Sequence, residues 1–231
     1  MRVVIVAGSP EPSSPRFVEK LCSTADYLIA ADSGANMLFK LDRVPDLLCG
    51  DEDSLNAETL VWLDENNVAV EKVSWYKDDT DLGLALKMGM KHAAEQNRQA
   101  NFTVTCASGG RVDHMLGVFG VLAQLARTTT EQQCTLHLQE DNFLCRLLRP
   151  GERWVLPLDA SGHVLSAISL DTKTVLTEQG MLWCPTHSEF GVLDDRGVSN
   201  QVQNKDASIV CEQGLVAAIL LRQKAEAMKQ Q

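Results

Sequence analysis

The sequence predicts an α/β domain over residues 1–142 followed by an all-β sandwich over residues 143–231. Up to about residue 140, short β-branched runs alternate with longer stretches of helical spacing, and that alternation implies a parallel sheet with helices on both faces. From about residue 143 the rhythm changes to short strands separated by turn residues, as in an antiparallel sandwich. A third observation concerns position: four successive strands of the first half are followed by acidic, glycine-rich or cationic clusters, at the edge where an open parallel sheet binds its ligands.

Taken in order, the strand candidates of the first half are residues 3–7, 27–31, 47–49, 68–73, 102–107 and 135–139. Helical spacing fills the gaps at 16–24, 35–41, 56–66, 81–97 and 114–127, giving a Rossmann-like order. In the second half, Arg-Pro-Gly at 149–151, Ala-Ser-Gly at 160–162 and Asp-Asp-Arg-Gly at 194–197 mark turns between short strands. Disorder is expected only in the polar tail after Arg222.

Composition narrows the function. A formal net charge of −10 over 231 residues argues against nucleic acid, which is bound through clustered Lys and Arg. Seven single cysteines without a C-x-x-C pair read as reduced core thiols of a cytoplasmic protein. The apolar stretch in MRVVIVAGSP is too short for a signal peptide, and Gln124 interrupts the longest later run, so no membrane segment is expected.

The clusters carry the chemistry. They are Asp32-Ser33-Gly34-Ala35-Asn36, Gly50-Asp51-Glu52-Asp53-Ser54, Lys77-Asp78-Asp79-Thr80-Asp81 and Ser108-Gly109-Gly110-Arg111-Val112-Asp113-His114. Singly, Ser54, Thr80 and Asp113 read as helix N-caps, Gly109-Gly110 as a tight turn, and His114 as a polar residue at a helix start. His92, His137, His163 and His187 read as structural. Asp51 and Asp53, two apart in extended backbone, point the same way and repel unless a cation neutralises them, while Glu52 points away. With Asp81 they suit Mg²⁺, a hard cation held by one or two carboxylates plus phosphate oxygens. Arg111 can fork onto phosphate and Lys77 offers a point charge, so the edge suits a magnesium-bound polyphosphate. Neither G-x-x-x-x-G-K-[ST] nor G-x-G-x-x-G is present, which excludes a P-loop kinase and leaves a dinucleotide site unsupported.

The ordered set AADSGAN, GDEDS, KDDTD and GGRVDH, with SAISL, GMLW and GVSN in the second half, resembles thiamine pyrophosphokinase of the bacterial type. The resemblance implies transfer of the terminal pyrophosphoryl group of ATP to the hydroxyethyl oxygen of thiamine, giving thiamine diphosphate and AMP. It implies Asp51, Asp53 and Asp81 as magnesium ligands, with Asp32, Ser54, Asp78, Thr80 and His114 around the nucleotide. Lys77, Arg111 and the Gly109-Gly110 turn would take the phosphates, and Asp81 or Asp113 the alcohol proton. Trp183 would face the pyrimidine, and Ser199 and Asn200 its nitrogens, in a homodimer. Four positions depart from the pattern: Ser33 for glycine, Glu52 for an apolar residue, Gly83 for an acid and Val118 for asparagine. Two alternatives stand beside this reading: another magnesium-dependent nucleoside-triphosphate transferase or hydrolase, and a thiamine-binding protein with impaired catalysis.

Overall fold

A computed structural model describes residues 1–72 and 80–224; Lys77, Asp78 and Asp79 lie outside the described residues. The chain forms two compact units, Met1–Leu125 with Gln132–Glu140 and Ala126–Glu131 with Asp141–Gln231.

The first unit runs β1 (Arg2–Val6), α1 (Pro15–Cys22), β2 (Tyr27–Ala31), α2 (Gly34–Lys40), β3 (Leu47–Cys49), α3 (Ala57–Glu65), β4 (Ala69–Glu71), α4 (Asp81–Glu95), β5 (Ala100–Thr105), α5 (Val112–Thr128) and β6 (Cys134–Gln139). Every predicted strand and helix of the first half falls on one of these, with described ends displaced by at most two residues. All six strands are parallel, in the order β4-β3-β2-β1-β5-β6. Val3, Val4, Ile5 and Val6 are all essentially inaccessible, so β1 needs the unbroken apolar run that a doubly covered strand shows. Its alternate residues explain the two layers. Val4 and Val6 join Leu28, Ala30 and Leu48 in a cluster with Val18 of α1, Leu38 of α2 and Leu63 of α3. Val3 and Phe102 meet α4 instead, where a Cβ on Gly89 would come within 2.6 Å of the Phe102 ring.

The second unit comprises β7 (Phe143–Leu148), β8 (Arg153–Val155), β9 (His163–Ser169), β10 (Thr174–Gln179), β11 (Ser188–Phe190), a 3₁₀ turn (Asp195–Gly197), β12 (Asn200–Gln201), β13 (Ser208–Gln213) and β14 (Val216–Lys224). Its strands are antiparallel and form two groups, β12-β9-β14-β7 and β11-β10-β13-β8. Leu148, Leu165, Val216 and Ala218 of the first group share one core with Trp154, Leu176, Phe190 and Ile209 of the second. Strands such as β7 and β10 alternate between buried and partly open positions, the period-two pattern of a sheet with one core face. β14 runs two residues past Arg222, so Gln223 and Lys224 belong to a strand and not to the expected tail; residues 225–231 lie outside the described residues.

All seven cysteines are free thiols, and Cys184 alone is exposed. No helix among the described residues is long and apolar enough to cross a membrane.

Candidate active site

Strand order locates the first site. The chain builds outward from β1 through β2, β3 and β4, then returns to place β5 on the other side of β1. Beyond the carboxyl ends of β1 and β5 the connections diverge, leaving the crevice in which open α/β sheets hold ligands. A cavity of about 540 Å³ lies there, lined by Ala7–Pro10, Asp32, Thr80, Asp81, Gly109, Arg111, Asp113, His114 and Val118 among others.

The loops after β1 and β5 form one cradle. Ser9 donates through its backbone N–H to Cys106 O at 2.8 Å and through Oγ to Ser108 O at 2.7 Å. Gly109 and Gly110 have φ of +97° and +69°, and a Cβ on Gly110 would meet Pro10 Cγ at 2.4 Å. Glycine is therefore required twice over, by conformation and by space.

Glu140, which follows β6, anchors this cradle. It is 3% exposed, and its Oε1 accepts from the N–H of Ala107 at 2.9 Å and of Ser108 at 3.1 Å. Its Oε2 accepts from Cys106 N at 3.1 Å and from Ser13 Oγ at 2.5 Å. One buried carboxylate thus ties both loops to the end of the sheet. Nothing in the sequence singled it out beyond an acid at a strand end.

The acidic cluster forms differently from the extended pair expected. Residues 51–54 are a turn: Glu52 has φ +70°, and Asp53 N donates to Asp51 Oδ1 at 3.4 Å. The turn, not strand alternation, brings Asp51 and Asp53 together. Glu52 does face away, into an ion pair with Lys72. Ser54 does not cap a helix, since α3 begins after Asn56; it donates to Asp32 Oδ1. Asp32 itself holds φ +53°, an unusual conformation for a residue with a Cβ. Thr80 is a true cap, accepting from Gly83 N at 3.1 Å.

Neighbouring acids raise the proton affinity of Asp53 and Asp81. The Asp53 carboxyl is pushed up by its hydrogen bond with Asp51 and by the Asp51 and Asp32 charges. Burial is the largest influence on Asp81, which is also raised, followed by the charges of Asp32, Asp51 and Asp53. Among the described residues, no three His, Cys, Asp or Glu side chains converge as a ready metal cluster.

Arg111 grips Asp113 with two bonds, Nε to Oδ1 at 3.1 Å and Nη2 to Oδ2 at 2.6 Å, and both side chains are about two-thirds exposed. The guanidinium holds Asp113 down to a pKa of about 2. Asp113 lies inside the first turn of α5, which begins at Val112, so it is not the residue before the helix. His92 stacks on Tyr27 at 3.9 Å, His137 Nδ1 lies 3.2 Å from Phe102 O, and His187 pairs with Glu212.

The second unit contains its own cavity of about 540 Å³, lined by Glu178, Leu182, Trp183, Cys184, Phe190, Arg196 and Asn200 among others. Trp183 is 62% exposed, so it is a wall of this pocket and not core. Asn200 is saturated by the protein. Its Oδ1 accepts from Trp183 N at 3.1 Å and Gln201 N at 2.9 Å, and its Nδ2 donates to Glu178 Oε2 at 2.5 Å and Trp183 O at 2.6 Å. Ser199 precedes it at φ +65°, its N–H donated to Ser166 Oγ at 3.1 Å. Burial pushes the Glu178 carboxyl up to about 7, against the lowering effect of the Asn200 bond.

Of the residues singled out in the sequence, Asp32, Thr80, Asp81, Gly109, Arg111, Asp113 and His114 line one cleft. Gly110 adjoins it in the Gly109 turn, and Ser54 is tied to Asp32. Asp51 and Asp53 stand close enough to Asp81 to raise its pKa. Trp183 and Asn200 line the pocket of the other unit.

Comparison with known proteins agrees with both units. Residues 18–135 match the family model for the thiamin pyrophosphokinase catalytic domain. The chain is 24% identical over 230 residues to thiamine pyrophosphokinase 1 of Arabidopsis thaliana, spanning 91% of this chain and 84% of that protein. The crystal structure of thiamine pyrophosphokinase from Bacillus subtilis shares the fold, with a TM-score of 0.78 at 20% identity over 96% of this chain and 100% of that one. A thiamin pyrophosphokinase family protein from Enterococcus faecalis is 25% identical with a TM-score of 0.76, covering 97% and 100%. The match of a catalytic-domain model to just over half the chain, across the very strands that carry the acids and the glycine cradle, places this protein in the thiamin pyrophosphokinase family.

Proposed function

We infer that this protein transfers the pyrophosphoryl group of ATP to the hydroxyethyl oxygen of thiamine, releasing thiamine diphosphate and AMP. The observation that carries the reading is the coincidence, in a chain of this family, of the acidic cluster and the Gly109-Gly110 cradle at the switch point between β1 and β5. We read the first unit as a Rossmann-like catalytic domain and the second as a β-sandwich that binds thiamine. The test is to supply thiamine, Mg²⁺ and ATP to the purified protein and quantify the products. Thiamine diphosphate and AMP in equal amounts are expected; ADP as the product would exclude pyrophosphoryl transfer.

The donor set suits magnesium. Its candidate ligands are all carboxylates, and neighbouring carboxylates raise the proton affinity of Asp53, through Asp51 and Asp32, and add to the effect of burial on Asp81, a crowding of like charge that a cation relieves. Mg²⁺ asks for only one or two carboxylates beside phosphate and water, so a three-donor cluster is not needed. Asp51, Asp53 and Asp81 would hold it, with Asp32 and Ser54 behind them. When bound, the cation supplies charge neutralisation on the phosphates.

The chain's own residues do the rest by position and charge, which is most of what phosphoryl-type transfer requires. Backbone N–H groups at Gly109 and Gly110 face the phosphates, held in place from behind by Glu140. Arg111, held by Asp113 through Nε and Nη2, turns its remaining N–H groups to a phosphate, and Lys77 adds a second cation. Asp78, Thr80 and His114 complete the nucleotide side. Asp113, held strongly acidic by Arg111, aims that guanidinium and is a poor base, which leaves Asp81 as the group for the alcohol proton. In the second unit the exposed face of Trp183 suits a flat pyrimidine beside a cationic thiazolium. Asn200 fixes Trp183, and Ser199 sits at the neighbouring position. A homodimer is supported by Val112 and Leu116, neighbours on one flank of α5 that are 73% and 61% exposed. Reduced thiols support a cytoplasmic setting.

A further inference from the structure

We propose that Glu178 is the specificity-determining residue of the second-unit pocket, its free oxygen Oε1 accepting a hydrogen bond from the exocyclic amino group of an aminopyrimidine. The inference rests on the reading of this pocket as the thiamine site.

Glu178 lies on β10 and is 3% exposed, yet it lines the cavity. Oε2 is occupied by Asn200 Nδ2 at 2.5 Å. Oε1 has no hydrogen-bond partner among the described residues and is not one of the atoms sealed from solvent, so it is open to a ligand in the cavity. The amide of Asn200, by contrast, has all four of its hydrogen bonds within the protein. Nor does the cation of the pocket neutralise Glu178. Arg196 Nη2 is paired with Asp194 Oδ2 at 2.6 Å, and its guanidinium lies 5.0 Å from the Phe190 ring centre.

The geometry selects a class of ligand. Asn200 clamps the Trp183 backbone and the Glu178 carboxyl to each other, so the aromatic wall and the polar atom are set as one unit. An aromatic face beside a single acceptor recognises a flat ring with a donor on its edge. The amino group of the thiamine pyrimidine is such a donor; an exocyclic carbonyl oxygen in its place is not. Ionised, Oε1 can only accept, whereas a proton on it would make it a donor to an oxygen, so the preference for the amino group belongs to the ionised carboxylate and should strengthen as pH rises through about 7.

The experiment compares thiamine with its analogue carrying oxygen in place of the pyrimidine amino group, by calorimetric binding and by KM, on the full chain. The wild type should prefer thiamine by about 10- to 100-fold. In Glu178→Gln, the Asn200 amide keeps its claim on the one remaining oxygen, turning the glutamine NH₂ toward the ligand. That variant should level or reverse the preference while leaving KM for ATP unchanged. Glu178→Met, with no polar atom, should lose the preference without reversing it, and covers the case in which the glutamine variant folds poorly. Trp183→Ala separates the two readings. If it weakens thiamine binding while both Glu178 variants keep the wild-type preference, the pocket stands and the role of Glu178 is refuted. If neither Trp183 nor Glu178 affects thiamine, the pocket is not the thiamine site and both readings fall.

Discussion

The two units treat carboxylates in opposite ways. At the edge of the first, Asp51 and Asp53 stand exposed and crowded, and Asp81 is close enough for their charges to raise its proton affinity. In the second, Glu178 is nearly inaccessible and bonded through one oxygen. Like charges can be tolerated in water because solvent screens them, and they are then available to a cation. A lone buried acid cannot be screened and keeps its proton to a higher pH, and once ionised it seeks a hydrogen-bond donor. The contrast predicts that charge is what matters in the first site and hydrogen-bond polarity in the second.

The largest effect tests the charge. Asp51→Asn or Asp53→Asn should lower turnover by about 10²-fold or more, the scale of removing one preorganised electrostatic contact. The melting temperature should hold or rise slightly, because the change removes a repulsion. A lowered melting temperature with turnover intact would mean that the pair is structural, and the contrast would be lost.

Glu140 sharpens the comparison because it is a buried carboxylate in the first unit. Unlike Glu178, it accepts from three backbone N–H groups and the Ser13 hydroxyl. Glu140→Gln leaves donor facing donor, and about 2–4 kcal/mol of stability should go with it, measured by urea denaturation. KM for ATP should rise in the same variant, since residues 106–108 lead directly into the glycine cradle.

Glu178 should give the opposite pH signature to a salt-bridged acid. Its carboxyl is raised from an ordinary 4.5 to about 7, so between those values the folded chain holds a proton that the unfolded chain has lost. Stability from this residue is therefore complete below pH 4.5 and declines as pH rises toward 7, by about 3 kcal/mol if the shift is fully expressed. Glu178→Gln removes the titration, so the variant should gain on the wild type steadily across that window in denaturant midpoints. A constant difference at every pH would contradict the raised pKa.

These residues also show what a sequence makes legible. The alternation of strands and helices, the Thr80 cap and the placement of Asp32, Asp81 and Arg111 at one edge could all be read, because each depends on local pattern. The turn at Glu52 and the positive φ of Asp32 could not, because no glycine marks either position. Glu140 reaches residues as far as 127 positions away, and Glu178 meets Asn200 across 22 positions. Contacts of that kind depend on how strands pair, so a single sequence shows the acids without their partners. The same limit hid the saturation of Asn200, whose residue type suited a ligand contact until its neighbours were in place.

Glu52→Gln should have the smallest effect, and it decides why its two neighbours matter. All three acids share one short turn, so a general dependence on negative charge there would make them equivalent. The backbone separates them: with φ at +70°, Glu52 turns its side chain to Lys72 while Asp51 and Asp53 meet each other. The Glu52–Lys72 pair is partly exposed, and such pairs contribute roughly 0–1 kcal/mol. Turnover in Glu52→Gln should stay within about two-fold of wild type, with stability changed by less than about 0.5 kcal/mol. A loss matching that of Asp51→Asn would show that the cleft responds to the net charge of the turn, and the distinction between exposed acids that hold a cation and acids that merely surround it would fail at the position where the backbone draws it most sharply.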